Sequence, residues 1–153
     1  MTIKTFRGLL NTAASPAADI ISKIRLKTRS GSTGYKIVKF SLMATSPSTN
    51  MEGVVKIYSV PQASGDNVID FSDPTLIAAG LITQSATGQN YPEDQTIYFD
   101  NIIVNQDMFI YSAGGDYDAS VNYYLEMEVI KLKDNENEYV TLKDLKQTLP
   151  QHG

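Results

Sequence analysis

Short runs in which apolar and polar residues alternate recur along most of the chain. The clearest covers residues 120–132, where every second residue from Val121 to Val129 is apolar or tyrosine and most of the residues between are polar or charged. A second run, residues 20–29, interleaves small or apolar residues with cationic ones. A two-residue period is typical of a β-strand with one buried face. Both runs therefore predict half-buried strands.

Further segments are rich in β-branched and aromatic residues and are separated by loops of Gly, Pro, Asn, Asp and Ser. They are residues 35–44, 53–60, 75–84, 96–104 and 107–113. The first is expected to turn Val38, Phe40 and Leu42 inward. Segment 75–84 suits a short helix almost as well as a strand, and we favour the strand. The last two segments, which only two residues separate, predict a hairpin or a sharp corner.

About seven strands joined by turn-forming loops predict an all-β fold, an antiparallel β-sandwich or jelly roll. A parallel α/β fold is disfavoured because the strands do not alternate with long helices. Jelly rolls and immunoglobulin-like sandwiches differ in strand order. Periodicity does not encode strand order, so both remain open.

The two ends of the chain differ from the middle. Residues 1–18 have mixed polarity without a sustained period, and we expect an extended N-terminal arm. Residues 19–133 form the predicted β-sandwich domain. Residues 134–153 form a C-terminal tail, in which a short helix would carry Leu142 and Leu145 on one side.

Composition excludes most catalytic chemistry. The 153-residue chain has no cysteine, a single histidine, His152, and a net charge of −4 at pH 7. A histidine beside the chain end is held too loosely for a catalytic triad, a zinc site or a general base. Neither the phosphate-binding nor the dinucleotide-binding glycine motif is present. We therefore expect a protein that is not an enzyme and needs no cofactor. The acidic charge disfavours nucleic-acid binding, and no apolar run reaches the roughly 18 residues of a membrane span.

A basic stripe is the most distinctive charge feature of the chain. If residues 20–29 form one strand, a single face carries Lys23, Arg25, Lys27 and Arg29. These cations could pair with Glu126 and Glu128 if the two long strands lie antiparallel in one sheet. They could instead dock on an acidic partner. We favour internal pairing or a solvated face, and keep the dock as the candidate partner-binding site. The two glutamates also have a spacing compatible with sugar hydrolysis, but every Glu-x-Glu strand shares it.

Two loop features allow a binding role. Tyr117 follows a Gly-Gly pair, and tyrosine is favoured at interfaces because it covers apolar area while keeping a polar tip. Asp66, Asp70 and Asp73 lie in one loop and could collect calcium, although Asp is also a usual turn former. We favour the turn role and expect no metal.

Three stretches resemble small β-sandwich virion proteins of tailed bacteriophages, in particular those of marine and cyanobacterial phages. They are Ile24-Arg25-Leu26-Lys27 through Lys39-Phe40-Ser41-Leu42, Tyr98-Phe99-Asp100-Asn101-Ile102-Ile103-Val104, and Asp118-Ala119-Ser120-Val121-Asn122-Tyr123-Tyr124-Leu125-Glu126-Met127-Glu128. The similarity spans roughly residues 20–145 and lies in the general character of the sequence, which has short strands and Ser/Thr/Asn/Gly loops.

The resemblance implies a structural protein of the virion, most simply a capsid decoration or cement protein that binds the major capsid protein or neighbouring subunits. It also implies a homo-oligomer, a trimer in particular, with residues 1–18 as the assembly arm and the Leu142/Leu145 segment as a second tether. A phage neck or tail component, a receptor-binding component and a carbohydrate-binding module remain alternatives. The last would use loop tyrosines such as Tyr91 and Tyr117.

Overall fold

The computed structural model describes residues 1–10, 20–28, 30–46, 50–62, 67–84, 93–114, 120–133 and 141. The described residues form eight β-strands. In chain order these are β1 (Thr2–Leu10), β2 (Ile20–Ile24), β3 (Thr33–Ala44), β4 (Met51–Tyr58), β5 (Leu76–Gln84), β6 (Glu93–Phe99), β7 (Met108–Gly114) and β8 (Val121–Lys131). No helix in these ranges is long and apolar enough to cross a membrane.

The strands form two antiparallel sheets that pack face to face. One has the order β1-β8-β3 and the other the order β2-β7-β4-β5-β6. Pairing of β1 with β8, β2 with β7 and β4 with β5 is what a long hairpin gives when it is wound on itself. In a hairpin wound in this way, the remaining pair joins β3 to the chain near β6. Here that contact is the bridge between Val104, which follows β6, and Tyr35 of β3. The predicted all-β sandwich is confirmed, and β6 pairs with β5 rather than with β3.

The alternating segments form the strands that enclose the core. On β8, Val121, Leu125 and Met127 are fully buried, as the two-residue period predicts. Segment 75–84 is a strand, as favoured. On β3 the predicted inward set is wrong at one position. Its register shifts between Ile37 and Lys39, so this bulge turns Ile37 into the core and leaves Val38 half-buried.

Two sequence predictions about connections need correction. The first half of the expected arm is a strand of the sandwich, because residues 2–10 form β1 and pair along their whole length with β8. Residues 11–18 lie outside the described ranges, as do all tail residues 134–153 except Thr141. The segments around 96–104 and 107–113 do not form a hairpin. Their strands β6 and β7 lie in one sheet but are separated by β4 and β5.

Part of the outer face of the five-stranded sheet is covered by its own chain. Lys56 on β4 is only 2 % exposed, and its Nζ donates a 2.8 Å hydrogen bond to the carbonyl of Val68. Tyr58, Leu76 and Ala79 on this face form a small buried cluster against which Ile69 packs. The segment between β4 and β5 thus acts as a third layer over this sheet.

Candidate binding surface on the three-stranded sheet

The outer face of the β1-β8-β3 sheet contrasts with the partly covered outer face of the five-stranded sheet. Since Leu125 and Met127 point inward, the residues between them on β8 point outward, and the register assigns their neighbours on β1 and β3. A concavity of about 750 Å³ lies over one half of this face. We call it the β1-β8-β3 groove. Its main lining residues are Arg7, Leu9, Lys39, Met43, Asn122 and Tyr124.

An apolar strip crosses one end of the groove. Leu9 on β1 and Met43 on β3 both pair with Asn122 of β8, from opposite sides. Leu9 is 52 % exposed and Met43 is 66 % exposed. The two side chains lie on either side of Asn122. Exposed large apolar side chains on a concave surface mark a place where a partner gains by removing them from water.

Two cations stand next to this strip. Arg7 pairs with Tyr124 in the register of β1 and β8. Lys39 on β3 pairs with Glu126, and its Nζ lies 5.7 Å from the centroid of the Tyr124 ring. A cation at this distance over an aromatic face is attracted by about 0.5–1 kcal/mol at an exposed site. The side chains of Arg7 and Lys39 therefore lie along the groove, next to the end that carries the apolar strip.

Tyr124 is held in place by its neighbours. Its hydroxyl donates a 2.9 Å hydrogen bond to Oε1 of Glu126. That bond to a carboxylate, helped by partial burial and the charge of Glu126, raises the pKa of Tyr124 above its ordinary value, although Arg7 opposes the shift. The phenol thus stays protonated and keeps donating, so the ring is a fixed wall of the groove.

The inward face beneath the groove depends on a glycine. Gly8 of β1 lies opposite Tyr123 of β8, and a Cβ at Gly8 would come within 3.0 Å of the Tyr123 ring. The ring packs against the core and occupies the space that any other residue at position 8 would fill. This burial raises the pKa of Tyr123.

The predicted basic stripe lies elsewhere. Lys23, Arg25 and Lys27 are exposed and alternate with buried residues as expected, but β2 belongs to the five-stranded sheet and pairs with β7. The prediction that Glu126 and Glu128 pair with the stripe is wrong. Those carboxylates lie opposite Lys39 and Lys36 of β3. The fourth stripe residue, Arg29, lies outside the described ranges.

Asp107 is the actual acidic neighbour of the stripe. Its Oδ2 lies 3.3 Å from Nζ of Lys23, and its Oδ1 accepts 2.8 Å hydrogen bonds from the backbone N–H groups of Leu26 and Lys27. Partial burial on its own would raise the pKa of Asp107, but these hydrogen bonds and the Lys23 charge outweigh it and lower the pKa. Asp107 thus clamps the chain where it leaves β2. This is a structural role for part of the stripe.

The other predicted site residues are not brought into this surface. Tyr117, Leu142 and Leu145 lie outside the described ranges. In the acidic loop, Asp70 and Asp73 accept hydrogen bonds from Ser72 and Thr75 within their own turns. Among the residues that the structure describes, no group of three or more acidic or histidine side chains could hold a metal ion.

Sequence reasoning missed Arg7 and Leu9 because it assigned them to an arm. An edge strand gives a weak periodic signal when its inward face includes residues such as Lys4 and Gly8. Lys39 and Met43 were on a correctly predicted strand. The alternation of polar and apolar residues showed that these two residues share the outer face of β3. Only the strand order places them close to β1.

Comparisons with known proteins do not assign the chain to a family. No family model matches the chain, and no curated protein matches it. A solved structure with some similarity is the mitogen derived from Yersinia pseudotuberculosis. It is 13 % identical with a TM-score of 0.28, and 87 % of each chain is covered. This likeness is too weak to carry an argument about function.

Proposed function

We propose that the protein is a non-enzymatic structural protein of a phage virion, a capsid decoration or cement protein that binds the major capsid shell through the β1-β8-β3 groove. The observation that carries the proposal is the exposed apolar strip of Leu9 and Met43 beside Arg7 and Lys39. The resemblance of the sequence to small virion proteins supports the same role.

The charge pattern indicates the chemistry of the docking partner. The whole chain carries a net charge of −4, so general attraction to acidic surfaces is weak. Arg7 and Lys39, in contrast, place two positive charges at the groove. A partner segment that carries both a carboxylate and apolar side chains would satisfy the cations and cover the strip at once. We propose such an acidic, apolar segment of the shell as the ligand of the groove.

The basic stripe contributes a second candidate contact. Arg25 and Lys27 are exposed, and Lys27 donates its backbone N–H to Asp107. Strand β2 contacts β1 across the two sheets. We propose that these side chains reach a further acidic part of the same partner. Tyr117, Leu142 and Leu145 stay candidates for contacts with neighbouring subunits.

Co-sedimentation with expanded capsids that lack this protein tests the proposal. We expect the natural chain to saturate the capsids, and the double variant Arg7→Glu/Lys39→Glu to bind on the order of a hundredfold more weakly, since it reverses two charges at the interface. Lys131→Glu is the matched control. It changes the charge on the same sheet about 23 Å along β8 from Tyr124, and should bind normally. Equal binding of all three proteins would refute docking through the groove, and the absence of binding by the natural chain would refute the decoration role.

The oligomeric state is part of the proposal. We propose a homo-oligomer, with a trimer as the expected form, because the virion proteins that the chain resembles often act at symmetric positions. Light scattering of the purified protein at low and moderate salt measures it. Three chain masses at both salt concentrations are expected, and a single chain mass throughout would contradict a preformed oligomer.

A further inference from the structure

A pair of exposed aromatic rings lies at the far edge of the five-stranded sheet. Phe71, in the segment between β4 and β5, is 66 % exposed, and Tyr98 on the edge strand β6 is 38 % exposed. Their ring centroids are 4.5 Å apart and the ring planes are tilted by 49°. The pair faces solvent on the opposite sheet from the groove. It has no role in the docking proposed above.

Phe71 is presented by a rigid turn. Oδ1 of Asp70 accepts hydrogen bonds from the backbone N–H and the hydroxyl of Ser72, at 2.9 and 2.6 Å. Oδ1 of Asp73 accepts from the same two groups of Thr75, at 2.8 and 2.6 Å. These bonds hold the backbone on the C-terminal side of Phe71 in one conformation. An exposed apolar ring on a fixed backbone loses little conformational entropy when it binds a ligand.

Tyr98 is fixed in a comparable way. Its hydroxyl donates a hydrogen bond to Oδ1 of Asp100 two residues further on. The hydrogen bond to this carboxylate raises the pKa of Tyr98, so the phenol stays protonated. Leu81 of β5, 42 % exposed, is a diagonal neighbour of Tyr98 on the same face. The two rings are therefore ordered and have the apolar side chain of Leu81 beside them.

The groups around the rings point to a sugar as the occupant. An aromatic face is electron-rich and attracts the polarised C–H groups on the apolar side of a hexose. Asp70 precedes Phe71 in the chain, and the carboxylate of Asp100 accepts the Tyr98 hydroxyl. A carboxylate oxygen is a strong acceptor for a sugar hydroxyl. Their negative charge opposes sialylated, sulfated and other anionic ligands. Two rings with a small polar border also cover far less area than the ~800 Å² per partner of a stable protein interface.

We propose that Phe71 and Tyr98 form a binding site for neutral hexose-containing glycans. One sugar ring stacks on Phe71 or Tyr98, and its hydroxyls bind the adjacent carboxylates. The site lies on the sheet that faces away from the docking groove, so a decorated capsid would display it. The site itself does not depend on capsid binding.

The test uses the purified chain with a printed array of neutral and anionic oligosaccharides, followed by saturation-transfer NMR with the strongest neutral ligand in solution. We expect neutral ligands to bind and Phe71→Ala and Tyr98→Ala each to weaken binding roughly tenfold or more. Tyr98→Phe keeps the ring and should lose only a few fold. Val68→Ala is the matched control, because Val68 is 60 % exposed in the same segment and carries no ring.

Circular dichroism of each variant shows that the fold is retained. Three results would overturn the proposal: no neutral ligand above background, binding only of anionic ligands, or neutral binding that survives in both alanine variants. Because the array contains no capsid, these results do not depend on whether the groove docks on a shell.

Discussion

Gly80 shows how closely the two sheets approach at a single residue. A Cβ at this position of β5 would lie 2.6 Å from Cδ1 of Leu42 and 3.0 Å from Cδ1 of Ile97. Leu42 is only 3 % exposed, so its side chain has little room to move aside. We expect Gly80→Ala to lower the free energy of unfolding by about 1–3 kcal/mol, measured by urea denaturation.

A double variant checks the cause of that loss. Leu42→Ala alone should cost about 2–5 kcal/mol because it leaves a cavity. In Gly80→Ala/Leu42→Ala the new methyl group enters that cavity, so the total loss should be smaller than the sum of the two single losses. Strictly additive losses would show that the Leu42 contact is not the reason.

Asp107 gives a prediction that depends on pH. Its pKa in the folded state is lowered, so its charge stabilises the fold above the unfolded pKa of about 3.9 and this contribution is lost as pH falls through the folded pKa. We expect Asp107→Asn to be less stable than the natural chain at neutral pH. The difference should shrink steadily below about pH 4. Urea denaturation over a pH series measures it, and a difference that stays constant to low pH would contradict the assignment.

Two further variants separate the contacts of Asp107. Asp107→Ala removes the acceptor of two backbone N–H groups and should cost about 1–3 kcal/mol at neutral pH. Lys23→Ala removes only an ion pair whose lysine side chain is 48 % exposed, and should cost less than about 1 kcal/mol. A larger loss for the lysine variant would mean that the ion pair, rather than the backbone clamp, holds the chain after β2.

At the scale of elements, the sequence predicted the central strands well and the edge strand β1 wrongly. β8 lies between two strands, most of its inward face is buried, and every second residue from Val121 to Val129 is apolar or tyrosine. β1 is an end strand of its sheet, and its burial rises only towards Leu10. An edge strand with one half-covered face can carry Lys4 and Gly8 inward, and the periodic signal then fades.

Deletion of β1 tests whether this segment is a structural strand of the sandwich or a dispensable arm. Residues 1–10 bury Leu10 and supply Phe6 to the core, and their loss leaves one edge of β8 unpaired. We expect the truncated chain to lose its cooperative thermal unfolding transition, measured by circular dichroism. A synthetic peptide of residues 1–10 should restore part of the native signal. A truncated chain that unfolds as the natural one does would show that this segment is an arm after all.

The bulge in β3 and the separation of β6 from β7 were beyond sequence reasoning for different reasons. Ile37 and Val38 are adjacent apolar residues, so either could take the inward position, and the sequence does not show on which side of them the bulge shifts the register. The predicted segments 96–104 and 107–113 are only two residues apart, which favours a hairpin or a sharp corner, but β6 ends at Phe99 and residues 100–107 link it to β7. This link crosses to the other sheet through the Val104–Tyr35 bridge instead. Such a crossing is a property of the strand order, which local patterns do not contain.

At the scale of the whole molecule, the two sheets present different outer faces. One is partly covered by the segment between β4 and β5, with the nearly buried Lys56 beneath it, and leaves Leu81 and Tyr98 exposed towards its edge. The other exposes Leu9 and Met43 in a groove with two cations. The all-β sandwich class was predictable from strand count and turn chemistry. The groove was not, because its residues come from β1, β3 and β8, which only the fold brings together. The docking proposal rests on this asymmetry.

Electron cryomicroscopy of capsids decorated with the purified chain tests that central proposal most directly. We expect ordered density at repeated lattice positions, with the β1-β8-β3 sheet against the shell and an acidic segment of the shell beside Arg7 and Lys39. The edge that carries Phe71 and Tyr98 should face solvent. Ordered density with the five-stranded sheet against the shell, or capsids that remain bare at saturating protein, would contradict the account.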